Sequence, residues 1–415
     1  MKLFKKLLLA GTALSLIAPV ASQANTVNLE EMNSYILSKK SKSRLDSKTF
    51  VNSVNKELAS SKGRLKGLEA KQNNFEAGGF SDTTTATFGA DFVVGAVDGS
   101  SSSEATTFDY QFGMNLSTSF TGEDSLDLTI ETGNASSPTA TALDMNGMSD
   151  AMTLDGITYT FPIGDKTTVM VGDSTDVSAL YSTSCVYSAF TDLLSNCGSA
   201  NAAGLGGGTT DENTTSTTDD ASSATVAAAY DFGNGFTVAG GMSTAGGDSD
   251  GMFTKASLDV YGLQAAYNTD NYGLSVSYAL TEGQNTVVEH PDDGYETSYW
   301  GLNGFYSFDD PKLPSISVGY EAEDRSSSGG TANIASVEKS GFFAGLTWDE
   351  VGAGSFSLGL SSVTNYTDSE TEYYQYEAAY TYPINDGMTI TPGAFIKETS
   401  GDDETGLIVK TSFSF

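Results

Sequence analysis

Long apolar runs, histidine and cysteine are all scarce in this sequence of 415 residues. After residue 24, no apolar run approaches the ~20 residues that a membrane-spanning helix needs. The one run that exists, residues 7–20, follows a lysine-rich start and precedes a small-x-small motif at residues 22–24. This order predicts a signal peptide over residues 1–24, because the run is short for the alternative, a membrane-anchoring helix. If the exported chain enters a membrane, it must therefore cross it with strands.

The single histidine, His290, lies in an acidic segment, and no cluster of histidines or cysteines suggests metal ligands. General acid–base catalysis uses histidine more often than any other side chain. The composition therefore argues against an enzyme, and it predicts neither a cofactor nor a metal site. The two cysteines, Cys185 and Cys197, predict one disulfide in an exported protein.

Basic residues are also few, because 20 Lys and Arg stand against 53 Asp and Glu, for a net charge of −33. The whole acidic excess lies in residues 80–415, which hold 7 Lys and Arg against 47 Asp and Glu. A domain with this charge repels the phosphates of nucleic acids and attracts cations, so nucleic acid is excluded as a partner. The 22 Phe and 20 Tyr argue against a disordered acidic chain.

A helix is predicted over residues 48–79, after a short basic segment at residues 25–47. Its seam residues are spaced alternately by three and four positions, like the a and d positions of a coiled coil. They are Val51, Val54, Leu58, Ser61, Leu65, Leu68, Gln72 and Phe75. The spacing favours a self-associating periplasmic stalk. The alternative, a single amphipathic helix that packs on the rest of the protein, stays open.

From residue 80 to residue 415 the sequence alternates with a period of two. Residues 373–382 show the pattern, since bulky side chains dominate one face and smaller or polar ones the other. A face of Gly, Ser, Thr, Asn and Asp lines water, so the apolar face must contact lipid. Tight turns near residues 122, 164, 234, 270, 310, 352 and 386 alternate with long polar loops. We therefore expect an all-β transmembrane β-barrel of about 16 antiparallel strands.

Aromatic residues support the barrel interpretation, because they gather beside the short turns and at the last position. They are Phe120, Phe161, Phe236, Tyr267, Tyr272, Phe308, Trp348, Tyr382 and Phe415. Amphipathic rings prefer the interface between membrane and water. The pattern predicts an aromatic girdle at the periplasmic side of the barrel.

Three segments resemble cyanobacterial outer-membrane porins, which are grouped with the carbohydrate-selective, OprB-type porins. They are residues 46–52 (DSKTFVN), 66–70 (KGLEA) and 75–84 (FEAGGFSDTT). The resemblance implies passive diffusion of small hydrophilic solutes, ions or sugars through the outer membrane, in contact with lipid and lipopolysaccharide and as a homotrimer. Longer relatives carry an S-layer-homology domain, for which residues 25–47 are too short. Only the basic side chains of that segment are then left to contact cell-wall polymer.

The longest predicted loop, residues 173–221, joins the fifth and sixth strands and contains both cysteines. It is too long for a passive connector, and its position resembles the third external loop of general-diffusion porins, which folds into the lumen and constricts it. A disulfide would stabilise this loop by about 3 kcal/mol. The alternative is a surface loop outside the barrel. Its acidic residues are the candidates for the constriction: Asp192, Asp211, Glu212, Asp219 and Asp220.

Strand parity assigns further charged side chains to the lumen. The acidic ones are Asp91, Asp109, Asp127, Glu131, Glu321, Glu323 and Glu377, and the basic ones are Arg325, Lys339, Lys397 and Lys410. Because rings of charge decide ion preference, we expect a cation-leaning pore. A sugar path would use the inward aromatic side chains, which are Tyr299, Phe305, Phe343, Tyr373 and Phe395. The rival function is a structural tether or adhesin whose barrel is plugged.

Overall fold

The computed structural model describes residues 83–99, 105–145, 149–203, 223–245, 252, 254, 258–283, 295–326, 337–362 and 371–415. The predicted signal peptide, basic segment and helical stalk lie outside the described residues. So do His290 and four of the five acidic loop residues, Asp211, Glu212, Asp219 and Asp220. Within the described ranges, no helix is long and apolar enough to cross a bilayer.

Sixteen antiparallel strands form one closed sheet, which confirms the predicted fold class and strand number. The first eight are β1 Thr84–Asp98, β2 Thr107–Thr118, β3 Ser125–Gly133, β4 Thr153–Ile163, β5 Thr167–Asp173, β6 Ser223–Asp231, β7 Phe236–Ala245 and β8 Leu258–Asn268. The others are β9 Tyr272–Gly283, β10 Tyr295–Tyr306, β11 Ser315–Arg325, β12 Val337–Val351, β13 Gly354–Ser362, β14 Tyr374–Asn385, β15 Met388–Lys397 and β16 Glu404–Ser414. Each strand pairs with its neighbours along the chain.

Within the described residues, three short helices lie in the long connections between strands. The α-helix α1, Pro138–Thr141, follows β3, and two 3₁₀ helices, Val177–Leu180 and Asp192–Gly198, follow β5. The long connections therefore carry the helical structure of the described residues, whereas the short ones are turns.

Side chains alternate between the two faces of the wall as the sequence pattern predicts. On β11, Ile316, Val318 and Tyr320 point outward and are 37%, 50% and 48% exposed, whereas Ser317 and Glu321 point inward and are 1% and 2% exposed. A large apolar side chain that faces outward on every second residue of a strand suits contact with lipid. On β11 the inward side chains of Ser317 and Glu321 accept hydrogen bonds from a loop inside the barrel, and the buried core lies where loops cover the inner face in this way.

Pairing of β1 with β16 closes the sheet. Their register runs from Gly89 opposite Ser414 to Asp98 opposite Thr405. One step beyond it, the main-chain N–H of Phe88 donates to the carbonyl oxygen of Phe415 at 2.8 Å, and the reciprocal bond is 3.0 Å long. Closure removes the open edges whose unpaired N–H and C=O groups would be costly in lipid.

The seven predicted tight turns are confirmed between the strands that the sequence assigns to them. Glycines in these turns adopt the left-handed conformation that other residues avoid, with φ of +90° at Gly122, +66° at Gly164 and +70° at Gly352. Six of the nine predicted girdle residues are exposed beside these turns or at the chain end: Phe120, Tyr267, Tyr272, Phe308, Tyr382 and Phe415.

Asp124 holds the turn between β2 and β3. Its carboxylate accepts hydrogen bonds from the main-chain N–H groups of Phe120 and Thr121, at 2.9 and 2.7 Å, and from the hydroxyl of Tyr159 at 2.7 Å. The hydroxyls of Ser119 and Thr121 donate to the same carboxylate. Donation to the charged form, from the Thr121 main chain above all, holds the pKa of Asp124 well below its usual range.

Candidate functional site in the barrel lumen

The connection between β5 and β6, called the third loop below, runs inside the barrel over its described part, residues 174–203. The 3₁₀ helix Val177–Leu180 packs on β6, β7 and β8, and the 3₁₀ helix Asp192–Gly198 packs on β11, β12 and β13. Between these helices the loop contacts inward-facing residues of β14 and β15. The third loop therefore lies against the wall from β6 to β15 rather than outside the barrel.

A disulfide joins Cys185 and Cys197 within this loop, across a Cα–Cα distance of 6.1 Å. Cys197 is fully buried and packs with Leu194 and Phe343. Closing a ring of this size restricts the unfolded loop and contributes about 3 kcal/mol in the chain-entropy model. The bond closes residues 185–197 of the loop into a ring.

Inward-facing glycines provide the space in which the third loop lies. A Cβ atom at six of them would meet the loop: at Gly262 it would meet Val177 and Tyr181, at Gly301 Ala202, at Gly319 the Cys197 carbonyl group, at Gly345 and Gly359 Tyr187, and at Gly393 Phe190. Glycine is the one residue that permits such close approach. These six glycines, on β8, β10, β11, β12, β13 and β15, are called the glycine belt below.

Glu377 fixes the middle of the loop to β14. Its carboxylate accepts hydrogen bonds from the main-chain N–H groups of Phe190 and Thr191, at 2.7 and 2.9 Å. The hydroxyls of Tyr187 and Thr191 donate to it at 2.8 and 2.5 Å. Burial, together with the nearby carboxylate, raises the pKa of Tyr187, so its hydroxyl remains a donor. Glu377 is 2% exposed, so it serves as an anchor for the loop rather than as a charge in contact with water.

Glu321 anchors the C-terminal part of the same segment to β11. Its carboxylate accepts from the main-chain N–H of Ala202 at 2.8 Å and from the side-chain amide of Asn201 at 2.9 Å. Neutral side chains of the wall add to this attachment, since Gln264 accepts from the Ser182 N–H at 2.8 Å. Glu321, like Glu377, faces inward as the sequence predicts but is covered by the loop.

The connection between β3 and β4 also turns inward. Ser137 caps α1 by accepting from the Ala140 N–H at 3.2 Å, and its hydroxyl donates to Asp109 at 2.6 Å. The main-chain N–H of Asp192 donates to the Ala142 carbonyl at 3.2 Å, which joins this connection to the third loop. Asp109, 4% exposed, therefore holds α1 in place.

The remaining predicted lumen charges fall into two groups. On the wall far from the 3₁₀ helices, Asp91, Asp127 and Glu131 are half-buried on β1 and β3. Asp127 accepts from the Ser125 hydroxyl at 2.7 Å, and Glu131 accepts from the Gln111 amide at 3.1 Å.

The basic residues lie on β11, β12, β15 and β16, and most of them are beside acids. Lys339 is directly across from Glu323 in the β11–β12 register, and Arg325 follows two residues later on β11. Lys397 is 3.8 Å from Glu404. Lys410 lies on the inner face of β16, opposite Val93.

These charged side chains lie on the inner face in the structure, but strand parity could not show which of them the loop would cover. The same holds for the aromatic residues, because Tyr299, Phe343 and Phe395 face inward and are only 2–4% exposed. Phe343 is covered by Tyr187, at a ring-centroid distance of 5.0 Å, and Tyr299 packs against Ala202. The glycine belt is a signal in the sequence that could have predicted where the loop lies. Its six glycines are on the inward face, together with the anchoring residues Glu321 and Glu377.

No family model matches the chain, and no curated protein matches it. Solved structures with a similar fold include OprB of Pseudomonas putida, at a TM-score of 0.56 and 11% identity, with 83% of this chain and 96% of that chain covered. They also include OmpT, an outer membrane protein of Vibrio cholerae, in a form that lacks loop L8. Its TM-score is 0.54 at 12% identity, with 80% of this chain and 100% of that chain covered. At these identities the likeness concerns the fold alone, a closed antiparallel β-barrel.

Proposed function

We propose that this chain is an outer-membrane porin that lets small hydrophilic solutes and ions diffuse passively through its lumen. The observation that carries the proposal is a closed barrel with an apolar outer face, a polar inner face and a long loop anchored inside it. An apolar outer face and a polar lumen suit a channel through lipid. The loop is held by its disulfide and by two carboxylates, as a segment that narrows a water path must be.

The proposed path runs beside β1, β2 and β3, opposite the wall to which the third loop is anchored. Asp91, Asp127 and Glu131 line this side and keep partial access to solvent. On the other side, Glu321 and Glu377 are engaged by the loop, and Lys397 lies near Glu404. Lys410, on the inner face of β16 beside β1, is a basic residue on the same side as the path. The three carboxylates outnumber it, so the proposed pore favours cations.

Carbohydrate passage receives less support from the geometry. A stacking path for sugars requires aromatic faces that are open to water, whereas Tyr299, Phe343 and Phe395 are covered. Of the five predicted aromatic side chains, Phe305 and Tyr373 are the two that are half-buried. The proposal therefore takes inorganic cations and small polar solutes as cargo. It includes the outer membrane of a Gram-negative, cyanobacterial-type envelope as the location, with homotrimers in lipid and lipopolysaccharide. Contact of the basic N-terminal segment with cell-wall polymer belongs to the same proposal.

Planar-bilayer recording on the purified chain tests the function. We expect steady single-channel currents and, under a salt gradient, a reversal potential that shows cation preference. Glu131→Gln should move the reversal potential toward zero because it removes one charge from the proposed path. Glu123→Gln, in an exposed turn, is the matched control and should leave the potential unchanged.

The two possible failures have different meanings. Absence of any steady current would favour a plugged barrel that acts as a tether or adhesin. A current with clear anion preference would keep the channel but contradict the proposed acidic path.

A further inference from the structure

A cavity of about 470 Å³ lies where α1, the third loop and the ends of β14, β15 and β16 meet. It is on the side of the barrel that carries the long connections, since β15 and β16 are joined there by residues 398–403. Its lining includes Thr141, Asp192, Gln375, Phe395, Lys397 and Glu404. A volume of this size lies within the range of small-molecule sites.

Charges of both signs face this cavity. The Lys397 ammonium and the Glu404 carboxylate are 3.8 Å apart, and their side chains are 36% and 24% exposed. A direct charge-assisted hydrogen bond would be about 2.7–2.9 Å long. The two groups therefore form an ion pair without a short direct hydrogen bond, and both remain accessible to a ligand in the cavity. Asp192, which is exposed, brings a second carboxylate to the same space.

The uncharged lining is less suited to recognising a ligand. Phe395 is 4% exposed and its ring lies on Gly406, so it offers no open face on which a sugar could stack. The Gln375 side-chain amide already donates to the Thr191 hydroxyl at 2.5 Å. Recognition in this cavity therefore falls to Lys397, Glu404 and Asp192.

We propose that this cavity binds small zwitterions that carry an ammonium group beside a carboxylate, that is, free α-amino acids. The carboxylate of the solute would lie at the Lys397 ammonium, and its ammonium group would lie at the Glu404 and Asp192 carboxylates. In the porin, a solute would bind at this site before it enters the lumen, and this role in transport rests on the proposed porin function. Binding itself requires no current, so the two ideas can fail separately.

Isothermal titration calorimetry on the full chain in detergent tests the site, with L-alanine, acetate, methylammonium and glucose as the probes. We expect saturable binding of L-alanine, and at least about tenfold weaker binding of the other three, each of which lacks one or both of the charged groups. Lys397→Gln and Glu404→Gln should each weaken L-alanine binding by about tenfold. Lys312→Gln, an exposed lysine between β10 and β11, is the matched control and should bind like the unmodified chain.

Glucose binding equal to that of L-alanine would overturn the proposal, and so would unchanged binding in Lys397→Gln. Heat-modified electrophoretic mobility of each variant verifies that its barrel is folded. Binding of L-alanine without any bilayer current would uphold the site and refute the porin function. A steady current without binding of L-alanine would uphold the porin function and refute the site.

Discussion

Replacement of Glu377 by alanine tests whether buried carboxylates hold the third loop in the lumen. The change leaves the main-chain N–H groups of Phe190 and Thr191 without their acceptor, and these residues are 6% and 3% exposed. Each unsatisfied buried donor costs about 1–3 kcal/mol, so docking of the loop should weaken by roughly 2–6 kcal/mol. At about 4 kcal/mol the undocked fraction rises roughly a thousandfold.

Two measurements on Glu377→Ala report on the undocked loop. In planar bilayers the open-channel current should become noisier and fluctuate between levels, because the loop moves within the lumen. In detergent, limited proteolysis should cut the third loop while the barrel retains its heat-modified mobility. Glu377→Gln, which keeps one acceptor oxygen, should give an intermediate result.

Glu123→Ala is the matched control, because it removes a carboxylate from an exposed turn far from the loop. Its current and its protease resistance should match those of the unmodified chain. If Glu377→Ala also behaved like the unmodified chain in both assays, the anchoring role of this carboxylate would be refuted. The loop would then have to be held by its disulfide and its packing alone.

Two further predictions address the glycine belt and the first turn. Gly319→Ala would bring a Cβ atom onto the Cys197 carbonyl group and should increase current noise, whereas Gly89→Ala, whose new atom would meet nothing closer than 3.9 Å, should not. Asp124→Asn should lower the thermal unfolding midpoint at pH 6, and the difference from the unmodified chain should narrow toward pH 2.5. The reason is that a carboxylate with a lowered pKa stabilises the fold fully above its ordinary pKa of about 3.9 and loses that contribution as the pH falls toward the lowered value. A difference that stayed constant with pH would contradict this account.

The strands and turns could be predicted from the sequence because their signals are local. A period of two places side chains such as Val318 and Ser317 on opposite faces, and the turn glycines need a left-handed backbone wherever they occur. The alternation of short and long connections then predicts that the tight turns lie at one end of the barrel and the long loops at the other. None of these inferences required knowledge of distant contacts.

The path of the third loop could be predicted only in outline, because distant contacts determine it. Glu377 is more than 180 positions away in sequence from the N–H groups that donate hydrogen bonds to it. Glu321 is about 120 positions away from the Ala202 N–H that donates to it. Strand parity gives the face of a side chain but says nothing of what covers it. For this reason, strand parity makes inward residues such as Phe343 available to a sugar path, whereas in the structure the loop covers this ring.

The glycine belt provides a criterion for interpreting related chains. A relative that keeps a loop against the same wall must keep very small residues at the positions equivalent to Gly319, Gly359 and Gly393, whatever happens to the identity of the loop itself. A relative with bulky side chains there has to carry its loop elsewhere and so must have a wider bore. Aligned strand sequences alone would then sort narrow channels from broad ones before any conductance is measured.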